Sequence, residues 1–204
     1  MFNPENIENE FFHRIGFNFD PKSLVAGSVL ISEPFLADPN FSRSVILLTE
    51  YTEADGAFGF ILNKPTELEI SDIVETFPYS GYTFHVGGPV SSETVFFLHS
   101  AGSEINESNK IMDNLYWSGD FEHAKELIDL GKVTPDQIKF FGGYSGWGIG
   151  QLEDELKHHS WIIGELNAKQ VLAGDADGLW KRSLNRLGKK FSIMAEFPEN
   201  PELN

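Results

Sequence analysis

The sequence predicts an α+β fold built on one domain. Short β-branched runs, which are typical of strands, crowd the first half of the chain, whereas helical patterns concentrate after about residue 120. Strands and helices do not alternate regularly, so a doubly wound parallel sheet is not expected. No internal repeat of about 20 to 50 residues is visible. With 204 residues, 41% of them apolar, the chain can bury one complete core.

The chain divides into an N-terminal extension, residues 1–22, and a single domain, residues 23–204. Prolines and asparagines interrupt the extension, and its phenylalanines could hold it against the domain. Five strands are predicted in the first half of the domain: GSVLISEPFL, SVILLTE, AFGFILN, YTFHVGG and TVFFLHS. The pair Asp55-Gly56 favours a hairpin between the second and third strands. Between the third and fourth strands, Ser71 is the expected cap of a short helix.

The second half contains most of the predicted helices. Residues 102–119 are expected to form a loop with at most one strand around Ile111. The remaining elements are, in order, the helix DFEHAKELIDLG, the strand IKFFGG, a helix from near Gly150, the strand WIIGEL, a helical turn AKQVLA, the helix DGLWKRSLNRLG and an edge strand FSIM. The helix pattern is clearest in DFEHAKELIDLG, where apolar residues share one face and Gly131 marks the end.

Charge and composition exclude several classes of function. Lys and Arg number 15 against 31 Asp and Glu, a net charge of −16 that repels nucleic acid and anionic lipid. Direct nucleic-acid binding and membrane association are therefore not expected. The chain has no cysteine, which removes disulfides, thiolate nucleophiles and thiolate metal sites. The first residues show no signal-peptide pattern, so we expect a cytoplasmic protein.

Five glycines in nine positions mark the segment FFGGYSGWGIGQLEDEL, residues 140–156. Such a cluster indicates a bent backbone or a close approach of another chain segment. It does not match a phosphate-binding loop, because Gln151 stands where a third glycine would be needed. In the first helical turn Glu153, Asp154 and Glu155 would also repel a phosphate. The favoured interpretation is helix capping and tight packing.

Other catalytic patterns also fail their spacing tests. Ser145 lies between a strand and a helix, as a hydrolase nucleophile would, but Trp147 replaces the final glycine of that motif. Only the adjacent His158 and His159 follow it as candidate bases. The six histidines show no pair on one helix face with a carboxylate, so neither a metal nor a cofactor is expected.

Four blocks of the sequence resemble the YqgE/AlgH family of bacterial proteins. They are GSVLISEPFLADPNFSRSVILLTE, GAFGFILNKP, HVGGPVSSETVFFLH and FFGGYSGWGIGQLEDEL, and they agree with the family in order and spacing over about residues 24 to 195. The resemblance implies an α+β domain whose bifurcated, mixed β-sheet folds into a pseudo-barrel with flanking helices. It also implies a role in transcriptional regulation, although the family has no recognised DNA-binding motif.

The resemblance supplies the candidate binding residues. They are Arg43, Asn63, Gly87, Gly88, Gly142, Trp147, Gln151 and Glu153. Most of the matching positions could equally be architectural, since glycines permit tight turns and a tryptophan can be core. Arg43, Asn63, Gln151 and Glu153 could converge on a small polar ligand or on a partner's main chain. Alternatively, Arg43 and Glu153 could pair with each other.

Three functions remain for comparison. The leading hypothesis is a non-enzymatic module that binds a protein partner or a small polar ligand and acts indirectly on gene expression. The alternative is a hydrolase-type enzyme of unknown substrate that uses Glu153 or Ser145. Direct binding to DNA comes third, because the net charge opposes it.

Overall fold

The structure is a computed structural model that describes residues 24–198. The predicted extension, residues 1–22, lies outside the described residues. The strands are β1 Val29–Ser32, β2 Val45–Thr52, β3 Gly56–Ile61, β4 Pro65–Glu69, β5 Thr83–Val86, β6 Val90–His99, β7 Asn109–Met112, β8 Leu115–Trp117, β9 Ile138–Trp147 and β10 Trp161–Gly164. The α-helices are α1 Ile70–Ile73, α2 Phe121–Asp129, α3 Gln151–Lys157, α4 Ala168–Leu172, α5 Leu179–Arg186 and α6 Lys189–Ala195.

The strands form a bifurcated, mixed sheet, which confirms the expected α+β fold. Its main path runs in the order β10, β1, β2, β3, β9, β6, β8, β7, with antiparallel neighbours. The branch point is β9. Its C-terminal end pairs with β3 at Ser145 and Gly59, while its N-terminal half pairs in parallel with β5 at Phe140 and Phe84. Within residues 24–198 no ladder joins β10 to β7, so the barrel is not closed by hydrogen bonds.

Helices cover both faces of the sheet. Successive strand residues point to opposite faces. Ile31 therefore packs with Trp180 under α5 and α6, whereas Leu30 packs with Leu152 of α3. We call these sides the α5 face and the α3 face. A third cluster places α1 and α2 beside Phe140 at the branch. Each fully buried aliphatic or aromatic side chain contributes about 1.5–3 kcal/mol to folding. None of the helices in the described part of the chain could span a bilayer.

The C-terminal segment FSIM is helical, so the predicted edge strand is wrong. The four residues belong to α6, where Phe191, Met194 and Ala195 follow a spacing of three and four. Met194 and Ala195 are buried against the sheet, while Ile193 is 56% exposed on the outer side of the helix. A segment of four residues is too short to separate a period of two from a period of 3.6.

Two segments before α2 are more regular than predicted. Helix α1 begins directly after Glu69, not after Ser71, because the Glu69 N–H donates to Asp72 Oδ2 at 2.8 Å. The residues before it form β4, a strand that was not among those predicted. Within residues 102–119, predicted to contain at most one strand, β7 and β8 form a hairpin. Its turn includes Asn114 at a φ of 58°, a conformation that asparagine tolerates.

The glycine cluster does not interrupt its strand. β9 continues through the first three of the five glycines to Trp147, and the turn follows at residues 148–150. Backbone atoms of neighbouring segments lie close to β9 on several sides. The glycines therefore permit the close approach of other chain segments, the second of the two explanations proposed from the sequence. The strand therefore delivers Tyr144 and Trp147 in fixed positions beside the β2–β3 hairpin.

Candidate functional site

A cleft of about 420 Å³ opens between the β2–β3 hairpin and the C-terminal half of β9. Its apolar floor is formed by Phe58 and Tyr144, whose rings stack with centroids 4.3 Å apart and planes at 27°. Both rings are partly exposed. Glu50 and Asp55, both exposed, stand on the hairpin side of the cleft. We refer to this site as the hairpin cleft.

The shape of the hairpin cleft depends on Gly146, a residue of the glycine cluster that is not among the eight candidate binding residues. A Cβ at Gly146 would lie 2.9 Å from Cε2 of the Tyr144 ring. Because such a contact is too short, only glycine lets Tyr144 lie across the strand and stack on Phe58. The aromatic floor is thus a direct product of the glycine cluster.

Glu153 borders this region through Tyr51, a lining residue of the cleft. The Tyr51 hydroxyl donates to Glu153 Oε1 at 2.6 Å. The hydrogen bond to Glu153, together with burial and the negative charge, raises the pKa of Tyr51 to about 12. The phenol therefore stays protonated at neutral pH and holds the carboxylate in place. Within residues 24–198, no histidine, lysine or arginine lines this cleft.

Glu155 is the central hydrogen-bond acceptor of the α3 face, and sequence reasoning missed its role. Its Oε2 accepts from Trp147 Nε1 at 2.8 Å and from Trp161 Nε1 at 2.7 Å. Its Oε1 accepts from Gln151 Nε2 at 2.9 Å, and Gln151 Oε1 accepts the N–H of Gly148. A signal was present, because two buried tryptophans that flank one helix each need an acceptor.

Replacing Glu155 with alanine is expected to destabilise the fold by about 3 kcal/mol. The change leaves two buried indole N–H groups without an acceptor, since Trp147 is 5% and Trp161 is 1% exposed. Asp154→Ala, on the exposed side of the same helix, is the matched control and should change stability by less than about 1 kcal/mol. Urea unfolding followed by tryptophan fluorescence measures both. Equal stabilities of the two variants would contradict the role of Glu155.

Arg43 and Asn63 lie together on the α5 face, away from the hairpin cleft. Arg43 has a φ of 50°, and its Nη2 donates to the Phe197 carbonyl oxygen at 2.6 Å. Its Cζ lies 4.8 Å from the centre of the Trp180 ring. Asn63 donates from Nδ2 to the Arg43 carbonyl at 2.9 Å and accepts the first N–H of β2 at 2.8 Å. These contacts hold the C-terminal segment against the sheet. Arg43 therefore pairs with this segment and not with Glu153.

Gly87, Gly88 and Gly142 form a third group at the branch of the sheet. The Gly87 N–H donates to the Gly142 carbonyl at 2.9 Å, and the Gly87 carbonyl accepts the N–H of Ile61 at 2.9 Å. A Cβ on Gly142 would come within 2.7 Å of the Phe84 ring. The eight candidate residues thus fall into three groups. The structure brings Trp147, Gln151 and Glu153 together beside the hairpin cleft, but it does not bring Arg43 and Asn63 to them.

Ser145 does not occupy the position of a hydrolase nucleophile. It is fully buried inside β9, and its Oγ donates to the Gly87 carbonyl at 3.1 Å. A nucleophile elbow needs an exposed hydroxyl on a sharp strand-to-helix turn, and the turn here follows only after Trp147. In the part of the chain that the structure describes, no three His, Asp or Glu side chains gather as a metal site would require.

Comparison with curated proteins finds close relatives over nearly the whole chain. A UPF0301 protein of Cytophaga hutchinsonii is 43% identical over 182 residues, which are 89% of this chain and 100% of that protein. A UPF0301 protein of Bacteroides fragilis is 40% identical over 200 residues, which are 98% of this chain and 100% of that protein.

Solved structures show the same fold. The solution structure of the AlgH protein from Pseudomonas aeruginosa is 25% identical, with a TM-score of 0.70 over 89% of this chain and 98% of that one. The crystal structure of protein DIP2367 from Corynebacterium diphtheriae is 18% identical, with a TM-score of 0.74 over 90% and 96%. A family model described as AlgH-like matches residues 29–192. The chain therefore belongs to the AlgH-like family, as the four sequence blocks indicated.

Proposed function

We propose that this protein is a non-enzymatic binding module whose hairpin cleft takes a basic side chain of a protein partner. The observation that carries the proposal is the pairing of a stacked aromatic floor, Phe58 and Tyr144, with the exposed carboxylates of Glu50 and Asp55. A guanidinium group is planar and positively charged, so it can stack on an aromatic face while it pairs with carboxylates at the rim.

Charge supports a cationic partner at this place. Among the described residues, those that line the cleft include two carboxylates and no basic side chain. The whole chain carries a net charge of −16, which attracts basic segments and repels phosphate. A cation in the cleft would be stabilised both by the carboxylates at the rim and by the aromatic rings of the floor.

The module acts on gene expression indirectly in this proposal, through the partner and without contact to DNA. The net charge opposes binding to a phosphate backbone, and the same argument favours a protein partner over DNA. The non-enzymatic part of the proposal rests on the fully buried hydroxyl of Ser145 and on the hydrogen bond that Glu153 already accepts from Tyr51.

The binding proposal is tested with end-blocked Gly-Arg-Gly, Gly-citrulline-Gly and Gly-Glu-Gly peptides, followed by amide chemical shifts in the ¹⁵N-labelled protein. The arginine peptide should shift the amides of Phe58, Gly146 and Gly148, whereas the other two peptides should leave them unchanged. In the double variant Glu50→Gln/Asp55→Asn, which removes charge but keeps side-chain shape, affinity should fall about tenfold.

A second double variant with the same net charge distinguishes the effect of the carboxylates at the cleft from that of the overall charge. Glu104→Gln/Glu126→Gln removes two exposed carboxylates away from the cleft and should leave the affinity within about twofold. Equal binding of the arginine and citrulline peptides would overturn the proposal, as would equal losses in the two double variants. Substrate turnover that disappears in Glu153→Ala would overturn its non-enzymatic part.

A further inference from the structure

A second cleft lies on the other side of the branch, between β5, the start of β9 and the end of α4. It encloses about 350 Å³ and is lined by Thr83, His85, Ile138, Lys139, Leu172 and Gly174, among others. Two of these residues, His85 and Lys139, are each only 4% exposed. We refer to it as the Lys139 cleft.

Lys139 is a buried cation without an anionic partner among the described residues. Its Nζ donates to the Ala173 carbonyl oxygen at 3.1 Å, and in residues 24–198 no Asp or Glu oxygen forms a salt bridge with it. Burial lowers the pKa of Lys139 to about 8. Buried charges are normally paired, because an isolated one is costly. The ammonium group, which has three donors, therefore retains capacity for an anion in the cleft beside it.

His85, the other buried titratable residue of the Lys139 cleft, is uncharged at neutral pH. Its Nδ1 lies 3.1 Å from the Thr83 carbonyl oxygen, and because a carbonyl only accepts, the proton belongs on Nδ1. Burial and the positive charge of Lys139 lower the pKa of His85 to about 4, so the imidazole is uncharged at neutral pH. Among the described residues that line this cleft, Lys139 is thus the cationic group.

The geometry points to a binding site for a small monocarboxylate, whose carboxylate group pairs with Lys139 Nζ while its short apolar chain contacts Ile138 and Leu172. One cation matches one negative charge. Doubly charged phosphate fits less well, because Asp136 also lines the cleft and the carbonyl of Ala173, the residue that caps the C-terminal end of α4, faces Lys139. The apolar residues that line the cleft favour an aliphatic body over a purely polar ion.

The test uses butyrate, its neutral isostere butyramide, and inorganic phosphate, each titrated into the ¹⁵N-labelled full chain. Butyrate should shift the amides of Ile138, Leu172 and Gly174, and butyramide should bind at least tenfold more weakly. Phosphate should bind more weakly than butyrate. Lys139→Met, which keeps the volume and removes the charge, should weaken butyrate binding at least tenfold, while Lys132→Met, at an exposed position, should leave it unchanged.

Three outcomes would overturn the inference: equal binding of butyrate and butyramide, tighter binding of phosphate than of butyrate, or undiminished butyrate binding in Lys139→Met. The first two are measured on the unmodified protein, so the inference stays testable even if Lys139→Met does not fold. The hairpin cleft is a separate site, and its arginine-peptide test is independent of this one.

Discussion

Alanine at position 88 is expected to destabilise the protein by about 4 kcal/mol or more, enough to unfold a typical domain of this size. Gly88 has a φ of 157°, and a Cβ placed on it would lie 2.2 Å from both the carbonyl carbon and the carbonyl oxygen of Tyr144. These are backbone atoms in the middle of β9, held on one side by Val90 and next to the pair of Ser145 and Gly59. Unlike a flexible side chain, they cannot move away without breaking the branch of the sheet.

Gly174→Ala is the matched control for Gly88→Ala. A Cβ at Gly174 meets no atom within 4 Å, so its effect should stay within about 0.5 kcal/mol. Chemical unfolding monitored by circular dichroism compares the two variants with the parent chain. A loss below about 1 kcal/mol in Gly88→Ala would show that the crossing of residues 87 and 88 over β9 is looser than described.

The crossing at Gly88 also shows which part of the fold local patterns could predict. The short apolar runs around Val29, Val45 and Ala57 correctly predicted the first three strands, since each run is continuous, is bounded by turn residues and is largely buried by helices on both faces of the sheet. The branch at β9 is different. It depends on Phe84 and Gly59 meeting the same strand from positions far apart in sequence, and no spacing rule contains that information. Only the family resemblance implied it.

The candidate site could be predicted only in part, because it too depends on residues that are far apart in the sequence. Matching motif positions indicate which residues a family shares, but they do not say which of them meet in space. A pairing of Arg43 with Glu153 was one of two alternatives that their charges allowed, whereas the fold gives each its own partner, Phe197 for the first and Tyr51 for the second. Lys139 belongs to no sequence motif, because what distinguishes it is its burial without an acidic partner in residues 24–198.

Acid is expected to destabilise the protein through two buried histidines. His85 is 4% exposed and His99 is fully buried, and burial lowers the pKa of each to about 4, with Lys139 contributing at His85. His99 stacks on the Tyr116 ring, and its Nε2 lies 3.2 Å from the Ser118 carbonyl oxygen. Its Nδ1 has no hydrogen-bond partner among the described residues, so protonating that nitrogen would bury an unsatisfied N–H group.

The direction of the pH effect follows from proton binding. Below about pH 6.5 the unfolded chain protonates these imidazoles, while the folded chain keeps them neutral down to about pH 4. The unfolded state therefore binds more protons in this interval, and stability falls as the pH decreases through it. Each histidine should remove about 2 kcal/mol between about pH 7 and about pH 5.

Carboxylates also take up protons in acid, and this changes the charge repulsion within a chain of net charge −16. Histidine variants therefore separate the contribution of the two histidines from that of the carboxylates. The free energy of unfolding is measured at about pH 7 and about pH 5 for the parent chain, His85→Gln, His99→Gln and the double variant. Each single change should shrink the difference between the two pH values by about 2 kcal/mol, and the double change by about 4 kcal/mol. His158→Gln, on the surface, gives the background for losing an exposed imidazole. If the double variant loses as much stability in acid as the parent chain does, the two histidines are not buried in neutral form, and the packing around β5, β6 and β9 needs to be revised.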